Sequence, residues 1–322
     1  MITKEFLVHV NLVDSCFNMN KPFKLKPIYK DYIWGGQKII NNLHKDTNIN
    51  PCAEAWEFSS HTAGVSFCDS GEYKGIKINE IFKMHPEYLG RFSNPNGDIP
   101  ILIKYIDAKE DLSIQVHPSD AYALKNENSL GKSEVWYILE SDNGHLSVGF
   151  NKDVNKDIVK KSIEDGTILN HLNNFSVSKG EYLPIDAGTI HAINAGCLLI
   201  EVQENSDLTY RIFDYNRKDS KGNKRPLHIE KALDVLDYKK YDKPSSNSLK
   251  YSCKYFNLSV IDTPCEICTT KNNFMVLMCI EDSCIIKAED EELPMNYGDS
   301  VFVPADCKIT INNKSKLLKV EV

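Results

Sequence analysis

The sequence predicts a mostly-β fold of double-sheet jelly-roll barrels that carry a small helical insertion. Three observations predict it: a series of strand-like runs, little helical periodicity, and one short segment that recurs. The runs are ILIKYID (101–107), LSIQVH (112–117), VWYILE (135–140), CLLIEVQ (197–203), FMVLMCI (274–280), SVFVP (300–304) and KLLKVEV (316–322). They are rich in Val, Ile and aromatic residues, and Gly, Asn, Asp and Pro separate them. Helical spacing is confined to three stretches. The first is 78–92, broken near Pro86, and the second is 153–175, which reads as two short helices about Gly166. The third is 228–238, where Ile229, Ala232, Leu233 and Leu236 share a stripe.

The recurring segment pairs GEYLPIDAGTIH (180–191) with GDSVFVPADCKI (298–309), without gaps. Each begins with Gly and an acid, alternates into a turn, and returns toward a strand. This is the hairpin pattern of cupin jelly rolls, whose mouth often holds a metal. The first copy has His191 where the second has Ile309, so one barrel is expected to bind metal and the other is not. Polar KPSSNS (243–248) suits a boundary. The expected organisation is an extension over 1–18, a catalytic metal-binding domain over 19–242 with its helical insertion at 153–175, and a C-terminal jelly roll over 246–322 without ligands.

Composition narrows the function. The 322 residues carry a net charge of −7 with no block of like charges, which argues against a general nucleic-acid-binding face. A local pair of cations would still accommodate a small anionic substrate. The apolar runs fall short of the roughly 20 residues that cross a bilayer. The N-terminal stretch MITKEFLVHVNLVDSCFNMN is interrupted by His9 and Asn11 and flanked by Glu5 and Asp14, so no signal peptide is expected. Ten cysteines without such a signal read as reduced thiols in a cytoplasmic protein. Cys265 and Cys268 form a lone CxxC, read as packing rather than a metal site. The oligomeric state is left open, monomer or homodimer.

Chemistry enters with LSIQVH. Side chains alternate along a strand, so Leu112, Ile114 and Val116 face a core while Ser113, Gln115 and His117 face the other way. Two residues apart, Gln115 and His117 can converge on one ion. KSEVWYIL places Lys132 and Glu134 on a common face by the same rule, and His191 follows the hairpin turn. Gln115, His117, Glu134 and His191 make a four-ligand set with room for substrate, and imidazole plus carboxylate suits zinc or another borderline divalent ion. A lone strand histidine is more often a hydrogen-bonded structural residue; the combination is what points to a metal. Trp34, Trp56 and Trp136 read as core.

LSIQVHPSD, GKSEVWYI, AGTIHAI and QENSDLTYRIFDYNR, with YIWGGQKI and AEAWEFSSH nearer the N-terminus, closely resemble segments of class I mannose-6-phosphate isomerases in their short bacterial form. The resemblance runs from about Lys24 to the C-terminus and is weak beyond 245. Val135 and Asp186 stand where the family more often has a cysteine and a proline. The resemblance implies a zinc-dependent aldose–ketose isomerase interconverting mannose 6-phosphate and fructose 6-phosphate, with one zinc ion per chain held by Gln115, His117, Glu134 and His191. It implies that Arg211 is the active-site arginine, that Ser113 and Lys132 line the substrate pocket, and that Arg217 lies where a phosphate-binding cation belongs. Lys132 could bind phosphate or exchange a proton; a metal-held water is the other candidate base. Two rival functions stay open: a sugar-phosphate sensor without turnover, and a metal cupin acting on another phosphosugar.

Overall fold

The computed structural model describes residues 20–218, 222–244 and 250–322; the expected extension over 1–18 lies outside them. Four antiparallel sheets of seven, six, five and four strands make up the chain. Their cores show how they stack. Ile103, Tyr105 and Val202 of the six-stranded sheet pack on Val276, Phe302 and Val320 of the seven-stranded one. On its other face, Ile106, Ile138 and Leu199 pack on Leu146, Val148 and Ile193 of the five-stranded sheet. Met275, Leu277 and Leu317 join the seven-stranded sheet to Ile286, Ile309 and Ile311 of the four-stranded one. Helices Lys156–Glu164 and Ile229–Val235 cover the outer face of the five-stranded sheet through Val159, Ala232 and Leu233.

This layering explains the near-continuous apolar runs. A strand covered on both faces has no solvent side to alternate toward. Strands Ile101–Ala108 and Cys197–Glu204 are buried at all eight positions. The recurring segments are structurally equivalent. Gly180 and Gly298 both have φ of 88°, a left-handed conformation that glycine adopts without a Cβ clash. Each is followed by a strand in one sheet, Tyr182–Ile185 or Ser300–Val303, and by a return strand in the partner sheet, His191–Ile193 or Lys308–Asn312. Ile309, in the place of His191, is buried in a core.

Some local expectations shift. LSIQVH pairs as a strand only over Ile114–Val116. Beyond helix Lys156–Glu164, the second expected helix is a single tight turn, Ile168–His171, and the chain then enters strand Leu172–Ser176. The seven-stranded sheet draws on both ends of the chain. Phe23–Lys26 pairs with Ser300–Val303, and Phe67–Cys68 extends that edge.

Candidate functional site

Two polar rows face one another where the six- and five-stranded sheets meet. On the five-stranded sheet, Gln115 lies directly opposite His191 on one neighbouring strand and Arg211 on the other. Residues directly opposite share a face, so strand pairing gathers three side chains separated by up to 96 positions. On the six-stranded sheet a second row crosses four strands: Trp136, Glu201, Lys104 and Trp56 are successive cross-strand partners. The hydrophobic pattern of those strands stops here, and charge takes its place.

The sequence-derived ligands converge. His117, Glu134 and His191 are all buried, and their ligating atoms lie within 4.8 Å of one another. His191 Nε2 is 3.5 Å from Glu134 Oε1, and His117 Nε2 is 3.6 Å from Glu134 Oε2. Each ring donates its Nδ1 hydrogen to a carbonyl 2.8 Å away, Leu208 for His117 and Thr189 for His191. That fixes the tautomer and leaves both Nε2 lone pairs directed into the cluster. Burial holds both imidazoles below their ordinary value, His191 at about 4. Gln115 completes the group, its amide nitrogen 3.3 Å from His191 Nε2 and its oxygen accepting from Ser113 Oγ at 3.3 Å. A half-turn of this amide exchanges the two ends and presents the oxygen as a ligand.

A metal fits these residues. Glu134 Oε1 is buried with no hydrogen-bond donor, and burial together with the Glu201 charge pushes this carboxyl above its usual range. A divalent cation is the partner that a buried, underpaired carboxylate and two neutral imidazoles lack. One consequence concerns the metal-free protein. Its histidines are depressed in the folded state, so between about 4 and the ordinary 6.5 the unfolded chain binds more protons. Stability is therefore fully present above 6.5 and is lost as pH falls toward 4. Thermal melts of chelated protein across that window read it; a flat midpoint would contradict the burial of neutral rings.

Lys132 precedes a strand in a loop but is buried. It is 4% exposed, with Nζ 2.7 Å from Glu134 Oε2, 3.1 Å from His117 Nε2 and 3.5 Å from Glu201 Oε1. Arg211 donates through Nε to Ser113 Oγ at 3.3 Å and through Nη1 to the Pro226 carbonyl at 3.0 Å. Arg217 donates to the Asp111 carbonyl and to Asp214 Oδ1 at 2.7 Å. Ser113, Gln115, His117, Lys132, Glu134, His191 and Arg211 thus lie in one cluster, with Arg217 beside it at Asp111.

Further residues belong to it. Lys104 sits 3.0 Å from Glu201 and 3.5 Å from Glu54. Trp136 donates to Glu201 at 3.0 Å and Trp56 to Glu54 at 2.6 Å, so two tryptophans read as core are also hydrogen-bond donors in the site floor. Burial alone would raise Glu201, but Lys104 and Lys132 hold it well below the usual carboxylate range. Arg225 shares Asp214 with Arg217, its Nε 2.8 Å from Oδ2. The signal for Lys104 and Glu201 was visible as charges inside the apolar runs ILIKYID and CLLIEVQ, where a buried strand tolerates a charge only when it is paired. Arg225 gave none, since its loop reads as solvated. The cavities lined by Gly36 and Lys38 and by Tyr73 and Tyr88 share no residue with this cluster. Among the described residues Cys265 and Cys268 join no metal-ligating group, and no helix is long and apolar enough to cross a membrane.

Comparison with known proteins agrees with this geometry. Residues 22–152 match the model of the phosphomannose isomerase type I catalytic domain. The chain is 37% identical over 235 residues to a probable mannose-6-phosphate isomerase of Bacillus subtilis, covering 72% of this chain and 73% of that protein. It is 37% identical over 218 residues to the mannose-6-phosphate isomerase of Streptococcus mutans, covering 68% of each. The crystal structure of mannose 6-phosphate isomerase from Bacillus subtilis superposes with a TM-score of 0.86 at 31% identity, covering 94% of this chain and 100% of that one. The chain belongs to the type I phosphomannose isomerase family.

Proposed function

We propose that this protein interconverts D-mannose 6-phosphate and D-fructose 6-phosphate through a cis-enediol, using one zinc ion held by Gln115, His117, Glu134 and His191. In a chain of this family, the observation that carries the reading is the convergence of two tied-off imidazoles on one buried carboxylate, His117 toward Oε2 and His191 toward an Oε1 that has no donor. Bound there, zinc supplies Lewis-acid stabilisation of the negative charge that grows on the sugar oxygens.

The chain's own residues supply the rest. Arg211 keeps its proton at neutral pH and serves as a fixed positive charge for the enediolate. Ser113 holds that guanidinium and offers a hydroxyl to the sugar. Lys132, among Glu134, Glu201 and His117, is placed to hold or pass a proton at Nζ. Asp111, Ser113 and Gln115 follow one another on alternate positions, and they meet Arg217, Arg211 and the ligand cluster in that order. A sugar phosphate lying along this segment puts its reacting carbons by Gln115 and its phosphate by Arg217. Arg217 and Arg225 both lie close enough to be felt by Arg211, whose affinity for its proton burial and Arg225 lower.

We assign the catalytic part to 19–242 and a ligand-free supporting role to 246–322, where Ile309 replaces the histidine. We place the enzyme in the cytoplasm, where the described cysteines, all unpaired, stay reduced.

A coupled assay of fructose 6-phosphate to mannose 6-phosphate conversion tests the reading. Activity is expected to vanish on chelation and return with zinc. Arg211→Ala is expected to lose about 3 kcal/mol of transition-state stabilisation, on the order of 10²-fold in kcat. Folded, zinc-loaded protein that turns over neither sugar phosphate would leave a sensor, or an enzyme for another phosphosugar.

A further inference from the structure

We propose that Lys254 and Tyr255, far along the chain in the C-terminal part, are positioning residues that set Lys132 in place through Asp120 and Glu204. This rests on Lys132 acting in the reaction proposed above.

The loop carrying Lys132 is docked on both sides of that residue. The Gly131 amide donates to Asp120 Oδ1 at 3.0 Å, and the Ser133 amide donates to Glu204 Oε1 at 2.8 Å. The Lys132 amide itself donates to the Pro118 carbonyl at 3.0 Å. There is no slack beneath it: a Cβ on Gly131 would lie 2.4 Å from the Asp120 nitrogen and 2.8 Å from the Pro118 oxygen. The glycine therefore lets one backbone rest directly on the segment that follows His117.

Behind the loop, the two carboxylates come within hydrogen-bonding reach of each other and of the Tyr255 hydroxyl. Asp120 Oδ2 accepts from Tyr255 at 2.9 Å and from Lys254 Nζ at 3.0 Å, across 135 and 134 positions of sequence. Two ionised carboxylates so close repel one another, and burial together with the Asp120 charge holds the Glu204 carboxyl above its usual range; a cation and a hydroxyl beside them offset that repulsion. Without those two groups Asp120 and Glu204 move apart, and the peptide on either side of Lys132 moves with them. Lys132 Nζ has contacts of 2.7 and 3.1 Å to keep, and a misplacement of about 1 Å at a reacting group can lower a rate on the order of 10²-fold. The C-terminal part thus reaches the active site without contributing a ligand.

The test is the double variant Lys254→Met, Tyr255→Phe. Lys254 is exposed and Tyr255 half-buried, so the fold survives their replacement. Two readouts are taken: hydrogen exchange of the amides at 131–134, and the kcat and KM of the zinc-loaded enzyme. Exchange is expected to quicken about tenfold, with kcat down about tenfold, KM within twofold and zinc content unchanged. Lys254→Arg is expected to restore kcat when Tyr255 is kept. Unchanged exchange overturns the proposal, and so does faster exchange with kcat intact. If the unmodified protein turns over no sugar phosphate, the isomerase reading falls, and exchange at 131–134 alone decides whether the loop is docked this way.

Discussion

Glu134→Gln keeps its shape but loses stoichiometric metal, and its kcat/KM falls on the order of 10³-fold. Glu134 is the one carboxylate in the ligand group, with Oε1 toward His191 and Oε2 toward His117 and Lys132. An amide of the same size fills the space and supplies no negative charge. What remains is two neutral rings and a Lys132 ammonium balanced only by Glu201 at 3.5 Å, so the centre no longer draws a divalent cation in. Metal analysis of the purified variant, alongside the coupled assay, reads both effects. A variant that keeps one equivalent of zinc and a rate within tenfold of the parent would remove Glu134 from the ligand set.

Lys132→Met destabilises the metal-free protein by about 3–5 kcal/mol, the usual result of removing one partner from a buried ion pair. Lys132 and Glu134 are 5% and 0% exposed at their side chains, and Glu201 is the other charge that acts most strongly on Glu134. Without the ammonium, two buried carboxylates face each other. Glu134 is already raised with Lys132 present, and removing that cation raises it further. The folded variant then binds more protons than the unfolded chain above the ordinary carboxyl value. Its deficit is therefore smallest in mild acid and grows as pH rises. Urea unfolding in chelator at several pH values measures this, and added zinc should recover part of the loss. A deficit independent of pH would mean that Glu134 is not the group left uncompensated.

The residues proposed as ligands were legible as candidates because the relevant signal is local. Gln115 and His117 sit two apart in a run whose other face is aliphatic, Glu134 opens a strand, and His191 follows a glycine turn. Each needs only the period-two rule to be pointed out of the core. Lys104, Glu201 and Glu54 were harder to see. They lie in strands buried on both faces, where nothing local separates the face toward the five-stranded sheet from the face toward the seven-stranded one. Asp214 and Arg225 sit in a charged loop, and only the folded chain shows the carboxylate gripping two guanidinium groups.

The sequence by itself determined the strand-rich class, the helical spacing at 78–92 and 228–238, the recurring hairpin, and the residues able to hold a metal, because alternation, turn chemistry and side-chain type act over a few neighbouring residues. Tertiary structure alone decided which strands stand side by side. It brought Gln115 between His191 and Arg211, set the row Trp136, Glu201, Lys104 and Trp56 beneath them, placed Phe23–Lys26 in the sheet of the chain's far end, and laid Tyr255 against Asp120. Those pairings join segments tens to hundreds of residues apart. They follow from burying two faces of each central sheet at once, which no short window of sequence records.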